Sequence, residues 1–477
     1  MNRIDIDDTD SQTIDTIFAR QLPTALRLRE SDAAVRIRKL KRLCDAVLER
    51  QDAFYAAFHE DLRKPRVEVN LTELLPIVDE ARHAVRRLSR WIRPRRVAPT
   101  MTTIGTSARV VYQPRGRCLI MGPWNYPLNT LVGPLVSAVA AGNTVILKSS
   151  ELTPHVSAVI GELVRDVFDP DEVAVIHGGV STAQHLLTLP FDHVFFTGSP
   201  AVGKTVMAAA AKHLASVTLE LGGKSPVIVD ETADLARAAE LIVWGKLTNS
   251  GQSCVAPDHV YVHRDVKDRL VELCKSEIKR RYDARDGLAP ALGRMINEHH
   301  AGRVGALIEN AVALGARLAA GGAYDTEARY VAPTLLTDVP TDACIWSEEI
   351  FGPVLPIEPF DSLEAVIDRI NAAPKPLALY LWSRRRNVME QVSKQTSSGG
   401  FCINHCMQHY AHTGLPFGGV NNSGLGSAHG YFGFKAFSHE RAVLKGGLLM
   451  LVRQFFPPYT NRKIKLSSML LRLTARG

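Results

Sequence analysis

The stretch Cys118-Leu-Ile-Met-Gly122 decides the fold, because it begins a regular alternation of short apolar runs and helical patterns. Strand-like runs follow at 144–148, 173–177 and 193–197, and helical patterns lie between and after them at 131–141, 155–168, 182–189 and 202–214. Such alternation predicts an α/β fold with a parallel sheet and helices on both of its faces. Sheets of this kind bind nucleotides beyond the carboxyl ends of their strands.

Further elements extend this pattern in both directions. Amphipathic spacing predicts one long helix over 31–62 and a second over 70–91. A second α/β region covers about 224–414, and it opens with a strand at 225–230 and a helix at 234–248. An extended segment is predicted at 431–444. The sequence thus predicts two α/β regions preceded by helices.

The composition is that of an ordinary globular protein. The chain has 477 residues, 46% of them hydrophobic and 22% charged, which is enough for two or three domains. The first eight residues lack the apolar core of a signal peptide, and the apolar stretch at 131–141 is too short to span a bilayer. Seven cysteines without a CxxC pair speak against a disulfide framework or a metal site. We therefore expect a cytoplasmic protein without a metal ion.

The net charge of +8 includes two basic clusters, one in residues 82–96 and one in the tail after Glu440. Basic clusters can bind nucleic acid, but here aromatic residues are sparse and no nucleic-acid motif accompanies them. We predict solvated helix faces and no nucleic-acid partner. The basic, amphipathic tail from Leu448 allows a peripheral membrane contact, or packing on its own domain or on a partner subunit.

Two strings carry the chemistry. Gln252-Ser-Cys254-Val-Ala-Pro257 offers a thiol nucleophile, and Leu219-Glu220-Leu221-Gly222-Gly223-Lys224 offers a carboxylate in a glycine-rich turn. Attack of a thiol on a carbonyl, followed by carboxylate-assisted attack of water on the acyl-thiol, is a complete reaction scheme.

These strings and five others resemble the boxes of the NAD(P)-dependent aldehyde dehydrogenase superfamily. The others are Gly122-Pro-Trp-Asn-Tyr-Pro127, Leu147-Lys-Ser-Ser-Glu151, Phe196-Thr-Gly-Ser199 and Glu348-Glu-Ile-Phe-Gly-Pro353, and Leu415-Pro-Phe-Gly-Gly419 follows in family order. The ending around Ser423–Gly426 is similar to the class 3 branch of fatty, aromatic and coniferyl-type aldehyde dehydrogenases. The resemblance implies a Rossmann-like cofactor domain, an α/β catalytic domain and a small oligomerisation hairpin.

The resemblance assigns three catalytic roles. Cys254 is the implied nucleophile, Glu220 the general base for thioester hydrolysis, and Asn125 the donor to the oxyanion. The implied substrate is a small-molecule aldehyde, medium- or long-chain aliphatic or aromatic, which is oxidised to the carboxylate. An acylating relative, which forms acyl-CoA, generally lacks a base at the position of Glu220.

The resemblance also implies the cofactor residues, for NAD or NADP. They are Trp124, Lys148, Glu151, Gly198, Ser199, Gly203, Leu221, Gly222, Glu349 and Phe351. A carboxylate at Glu151 disfavours a 2′-phosphate and so slightly favours NAD. Tyr126, Asn404, His405 and Phe417 are the implied substrate-pocket residues. The loop at 402–412 is richer in Cys and His than is usual in the family, but its spacing fits no common zinc motif.

Gly198-Ser-Pro-Ala-Val-Gly203-Lys204-Thr205 also satisfies the P-loop pattern. In an ATPase, Lys204 would reach phosphates and Thr205 would hold Mg²⁺. No convincing Walker B strand accompanies it, and the family resemblance gives the same helix N-terminus a dinucleotide pyrophosphate. A catalytically silent relative is the other alternative, and the intact Asn125, Glu220 and Cys254 argue against it.

The resemblance divides the chain as follows. Residues 1–98 and 117–222, with 418–440 returning to them, form the cofactor domain, and 223–417 form the catalytic domain. Residues 99–116 and 441–455 are oligomerisation segments, and 456–477 are the basic tail. A homodimer is the implied assembly.

Overall fold

The computed structural model describes residues 8–282, 288–447 and 451–475. The helices are α1 Ser11–Arg29, α2 Ala33–Glu49, α3 Gln51–Leu62, α4 Arg66–Val69, α5 Leu75–Trp91, α6 Asn129–Ala141, α7 Pro154–Val167, α8 Val180–Leu186, α9 Pro200–Ala211, α10 Leu235–Leu247, α11 Lys267–Tyr282, α12 Glu298–Ala313, α13 Leu363–Ala372, α14 Arg386–Gln395, α15 Gly430–Ala436 and α16 Asn461–Thr474. A π-helix, Asn70–Leu74, joins α4 to α5.

The strands are β1 Arg95–Val97, β2 Ser107–Pro114, β3 Arg117–Met121, β4 Thr144–Lys148, β5 Val173–Ile176, β6 His193–Gly198, β7 Ser216–Leu221, β8 Pro226–Val229, β9 His259–His263, β10 Arg317–Ala320, β11 Tyr324–Asp325, β12 Tyr330–Val331, β13 Thr334–Thr337, β14 Val354–Phe360, β15 Ala378–Trp382, β16 Gly400–Ile403, β17 Gly424–Leu425 and β18 Ser438–Lys445. They form two large sheets, a three-stranded sheet and a two-stranded ribbon.

The first large sheet has the order β17-β7-β6-β3-β4-β5, and all its strands are parallel except β17, which runs antiparallel to β7. Its central strands are apolar and almost wholly buried, as expected of a parallel sheet covered on both faces. The helix α6 ends at Gly142, whose φ of 91° provides a left-handed cap. The predicted α/β fold is thus confirmed in this half.

The second large sheet has the order β10-β13-β14-β9-β8-β15-β16, with β10 antiparallel and the other pairs parallel. Helix α10 begins after Asp234, whose side chain accepts a hydrogen bond from the backbone N–H of Arg237. This helix leads directly to the segment that contains Cys254. The predicted strand at 225–230 and helix at 234–248 are therefore both present.

Three predicted elements were wrong in detail. The helix expected over 31–62 is two helices that meet at Arg50, whose ψ of 13° turns the chain out of the helical path. The helix expected over 70–91 begins with the wider turn of the π-helix. The segment expected to be extended over 431–444 contains the helix α15, because Gly433 lets α15 approach Ser137 of α6 to a distance that a Cβ atom would block.

The three-stranded sheet has the order β1-β2-β18, and its strands are not hydrogen-bonded to either large sheet. Its strands cover 95–97, 107–114 and 438–445, and they overlap the segments 99–116 and 441–455 that the resemblance implies for oligomerisation. The tail helix α16 buries none of its residues. Residues 448–450 and 476–477, which belong to the predicted oligomerisation and tail segments, lie outside the described residues. Among the helices described, none is long and apolar enough to cross a bilayer.

Candidate active site

One cavity of about 680 Å³ lies beyond the carboxyl ends of β3, β6 and β7. The residues implied by the resemblance that line it are Trp124, Asn125, Tyr126, Gly198, Ser199, Glu220, Leu221, Gly222, Cys254, Glu349, Phe351 and Phe417. The ends of strands in the first large sheet and the Cys254 loop of the second α/β region thus line the same cavity. The three groups expected to do the chemistry, Asn125, Glu220 and Cys254, all face it.

Cys254 reaches the cavity through an unusual turn at the end of α10. Asn249, Ser250 and Gly251 have φ angles of 53°, 55° and 73°, all in the left-handed region. The Ser225 hydroxyl donates a hydrogen bond to the backbone oxygen of Cys254 at 3.3 Å. Cys254 itself is partly exposed, and it lines the cavity. The turn therefore presents the thiol to the cavity from the loop before β9.

The surroundings of Cys254 favour the neutral thiol over the thiolate. Burial raises the pKa of Cys254 to about 12, and the carboxylates of Glu349 and Glu220 add to the increase by repelling a thiolate. No Lys or Arg flanks it in sequence. A positive charge near the sulfur would favour the thiolate.

Asn125 follows β3 in the short turn before α6. It is 5% exposed, and its side-chain Nδ2 donates to the backbone oxygen of Gln252 at 3.0 Å. The side-chain Nδ2 of Asn249 in turn donates to the backbone oxygen of Asn125 at 2.9 Å. These bonds fix the Asn125 amide beside the Cys254 segment. An amide carries two N–H groups, so a second one is available to a ligand oxygen.

Glu220 is the next-to-last residue of β7, where it is paired with Gly424 of β17. The carboxyl group is buried, and neither of its oxygens has a hydrogen-bond partner among the described residues. Burial alone raises the pKa of Glu220 well above its usual range. A buried carboxyl group without partners is costly to keep in a folded protein, so its presence beside the cavity points to a function.

A second group of lining residues surrounds the carboxylate of Glu349. A Cβ atom on Gly222 would lie 2.2 Å from Oε2 of Glu349, so only glycine allows this carboxylate to sit against the end of β7. Burial and the nearby Asp258 raise the pKa of Glu349 to about 8. The rings of Trp124 and Phe351 meet edge to face at 5.5 Å. These residues form an aromatic and carboxylate-lined cradle.

The P-loop alternative fails on geometry. β6 ends at Gly198 and α9 begins at Pro200, so only Ser199 lies between strand and helix. Lys204 and Thr205 are already inside α9, exposed, and not part of the cavity lining. A P-loop needs a long glycine-rich loop that wraps around phosphates. Here there is none.

Three expected cofactor residues lie outside the cavity lining. Gly203 is buried in α9, where a Cβ atom would lie 2.7 Å from the Leu221 side chain, so it serves the close packing of α9 on the sheet. Lys148 ends β4 and its ammonium group pairs with Glu151 at 2.9 Å. Glu151 is 44% exposed, so this pair lies at the edge of the sheet next to the cavity rather than within it.

Three rings that line the cavity pack against one another. The ring of Tyr410 meets that of Phe417 edge to face at 4.8 Å, and His429 stacks on Phe417 at 5.2 Å. The prediction that Asn404 and His405 line the pocket is not met, because the structure uses both in the loop itself. Asn404 exchanges hydrogen bonds with the backbone of Ser383, and His405 hydrogen-bonds with the backbone of Cys406.

Several residues at this site were not predicted from the sequence. Tyr410 and His429 line the cavity, and the hydroxyl of Tyr410 accepts a hydrogen bond from Asn129 at 2.5 Å. Glu68 contacts the turn before Cys254 from 181 residues away. The string Asn249-Ser-Gly251 was an available turn signal. Glu68 offered none.

The chain is similar to known proteins along almost its whole length. The sequence profile of the aldehyde dehydrogenase family matches residues 4–443. The putative aldehyde dehydrogenase AldX of Bacillus subtilis is 41% identical over 433 residues, which is 90% of this chain and 97% of AldX. A dimeric, NADP-preferring aldehyde dehydrogenase of Rattus norvegicus is 42% identical over 87% of this chain and 90% of its own. A substrate-bound structure of Staphylococcus aureus AldH superposes with a TM-score of 0.92 at 39% identity, covering 96% of this chain and 99% of that one.

Proposed function

The chain belongs to the aldehyde dehydrogenase family, and from that premise we propose that it oxidises an apolar aldehyde to the carboxylate with NAD or NADP through a thioester on Cys254. The observation that carries the proposal is the meeting of Cys254, Asn125 and Glu220 in one cavity, with the oxygens of Glu220 free of partners.

The first step is attack of the Cys254 sulfur on the aldehyde carbon. The carbonyl oxygen becomes an anion, and we assign the second N–H of the Asn125 side chain and the backbone N–H of Cys254 as its donors. Because the Asn125 amide is already fixed by its bond to Gln252, it needs no reorganisation when the charge develops. Loss of a hydride from the resulting carbon then gives the thioester.

The cofactor supplies the hydride acceptor and, as NAD⁺ or NADP⁺, a positive charge. The protein residues suited to hold it are the cradle of Trp124, Gly222, Glu349 and Phe351, and the pair of Lys148 and Glu151. A positive charge near Cys254 opposes the effect of the two carboxylates, and so favours the thiolate.

Glu220 is suited to the final step. Its oxygens have no competing hydrogen bond, so one can take a proton from water while the water oxygen attacks the thioester carbon. The carbon–sulfur bond then breaks, the carboxylate product forms and Cys254 leaves as thiolate. A raised pKa makes the ionised form of Glu220 a stronger base than an exposed carboxylate. The same residue favours hydrolysis over transfer to coenzyme A.

The cavity wall favours an apolar substrate. Leu71, Leu75, Trp244, Tyr410 and Phe417 are among the residues that line the cavity. This surface suits a medium- or long-chain aliphatic or an aromatic aldehyde. Glu151 slightly favours NAD over NADP, since its carboxylate would repel a 2′-phosphate. Because the rat relative is named as NADP-preferring, an assay of this protein has to include both cofactors.

The assay measures NAD(P)H formation by the purified protein with octanal and with benzaldehyde, each with NAD and with NADP. Cys254→Ser is the control, and parallel reactions contain coenzyme A. The proposal expects turnover without coenzyme A that is lost in the control. Turnover that requires coenzyme A would instead make the protein an acylating enzyme, and no turnover with any aldehyde would contradict the proposal.

The outer sheet supports a homodimer as the assembly. Its order β1-β2-β18 leaves β1 and β18 as edge strands, and β1 is fully exposed. Exposed edge strands are available for pairing with another chain. Light scattering behind size-exclusion chromatography tests this, with twice the chain mass expected and the chain mass as the contradicting result.

A further inference from the structure

The turn before Cys254 is held in a conformation that its residues do not favour on their own. Asn249 and Ser250 lie in the left-handed region, which is uncommon for residues other than glycine. Gly251 completes the turn, and a Cβ atom there would lie 2.3 Å from the backbone oxygen of Gly352. Some other part of the molecule must therefore stabilise this turn.

Glu68 of α4 provides such a contact. Its Oε2 accepts the backbone N–H of Asn249 at 2.9 Å, although the two residues are 181 positions apart. Asn249 links this contact to two further segments, because its side-chain Nδ2 donates hydrogen bonds to the backbone oxygens of Asn125 and Gln252. One carboxylate is thus connected, through one residue, to both sides of the expected oxyanion site.

The surroundings leave Glu68 free for this contact. The nearby Lys64 is fully buried, and its ammonium group is 2.6 Å from Glu73 and 4.2 Å above the ring of Tyr126. Its charge is therefore taken up by Glu73. Burial raises the pKa of Glu68 to about 7, while the bond from Asn249 and the charge of Lys64 oppose the increase. A carboxyl group in such a place is expensive, and a charge-assisted hydrogen bond to a backbone N–H offsets part of the cost.

We propose that Glu68 is a positioning residue for the oxidation step, which holds the left-handed turn at Asn249–Gly251 and thereby the Cys254 backbone N–H and the Asn125 amide. This inference rests on the proposed function, since it assigns Glu68 to the same reaction. Glu68 touches neither the substrate nor the cofactor cradle in this arrangement. It acts through Asn249.

The test compares Glu68→Ala, which removes the acceptor, with Glu68→Gln, which keeps an oxygen acceptor without the charge. The first should lower kcat per active site by about 10- to 100-fold, the range expected for a lost hydrogen bond to a charged group, with KM for NAD(P) unchanged within about twofold. The second should recover most of the loss. The amplitude of covalent labelling of Cys254 by iodoacetamide counts the active sites and corrects for misfolded protein.

Asp230→Ala is the matched control. Asp230 is also a buried carboxylate that accepts a backbone N–H, from Thr232 at 2.8 Å, but it lies at the end of β8 and away from the cavity lining. It should lower stability without changing kcat per active site. Equal losses in Asp230→Ala and Glu68→Ala would overturn the inference, as would full activity in Glu68→Ala.

Hydrogen exchange separates failure of this inference from failure of the proposed function. The peptide around 248–254 should exchange faster in Glu68→Ala than in the wild type and in Glu68→Gln, since the Asn249 amide loses its acceptor. Unchanged exchange would overturn the inference even if the enzyme oxidises aldehydes. Faster exchange in a protein whose wild type oxidises no aldehyde would overturn the role in catalysis together with the proposed function.

Discussion

The two walls of the cavity are built in different ways. The cofactor-side wall consists of strand ends followed by short turns, in which Ser199 caps the helix that follows it and Gly222 gives room to Glu349. The nucleophile-side wall is a turn of left-handed residues held by groups from distant parts of the chain, among them Glu68 and Asn125. The first wall is shaped by the ends of regular strands, and the second by a strained turn that depends on hydrogen bonds from distant residues.

Because of this difference, substitutions in the two walls should affect different steps of the reaction. On the cofactor side, a change alters the shape of a local turn, so it should act on cofactor affinity. On the nucleophile side, a change in a distant residue alters the geometry of the reacting groups, so it should act on the rate of chemistry. The following predictions test this separation.

Glu220→Gln should have the largest effect. Without a base, the thioester cannot be hydrolysed efficiently, and kcat should fall by about 1,000-fold, within the range of general-base catalysis. The first turnover should survive as a burst of NAD(P)H close to one equivalent per active site, seen by stopped-flow absorbance. A variant that turns over at the wild-type rate would remove Glu220 from the mechanism.

Asn125→Ala should lower kcat by about 100-fold or more, because one oxyanion donor is lost. In contrast to Glu220→Gln, the burst itself should become slow, since the donor acts before hydride transfer. Stopped-flow traces of the two variants distinguish these steps. A fast burst in Asn125→Ala would place the donor elsewhere.

Gly222→Ala should weaken cofactor binding by about tenfold, because a Cβ atom 2.2 Å from Glu349 forces that carboxylate to move. Quenching of intrinsic fluorescence during NAD or NADP titration measures the Kd. Gly179→Ala, where a Cβ atom meets nothing within 4 Å, is the matched control and should bind as the wild type does. Equal affinities in the two variants would contradict the local account of this wall.

Glu349→Gln should have the smallest effect, an increase of about threefold in the rate at which iodoacetamide alkylates Cys254 in the cofactor-free protein. Burial is the main reason for the raised pKa of Cys254, and Glu349 is the next contribution. Removing a carboxylate that repels the thiolate lowers the pKa of the thiol, so at a given pH more thiolate is present. Rates measured between pH 7 and 10 should rise with pH in both proteins. A slower reaction in the variant would reverse the assigned sign.

The sequence predicted the strands that end at the cofactor side, because their signals are local. Apolar runs gave the strands β3 to β6, and glycine at 142 marked the end of α6. The strings around Cys254 and Glu220 indicated a thiol and a carboxylate for the reaction, and the family resemblance implied the roles of the residues on both walls. Neither the strand β7 that carries Glu220 nor the contact of Glu68 with Asn249 follows from periodicity, since both depend on neighbours far away in sequence.

The P-loop pattern shows that a sequence motif can also match where the corresponding structure is absent. The string from Gly198 to Thr205 fits the motif letter by letter, yet the structure folds most of it into α9. A spacing rule cannot distinguish a loop from a first helical turn when proline follows a capping serine. The placement of Asn404 and His405 in a loop rather than in the pocket likewise depends on contacts with Ser383 and Cys406 that spacing does not contain.

The most direct test of the account is to trap the intermediate. Glu220→Gln is incubated with octanal and NAD or NADP, and the intact mass and the Cys254 peptide are measured by mass spectrometry, beside the same variant carrying Cys254→Ser. We expect a mass increase equal to octanal less two hydrogen atoms, located on Cys254 and absent from the double variant. No acylation while NAD(P)H forms, or acylation at another residue, would contradict it.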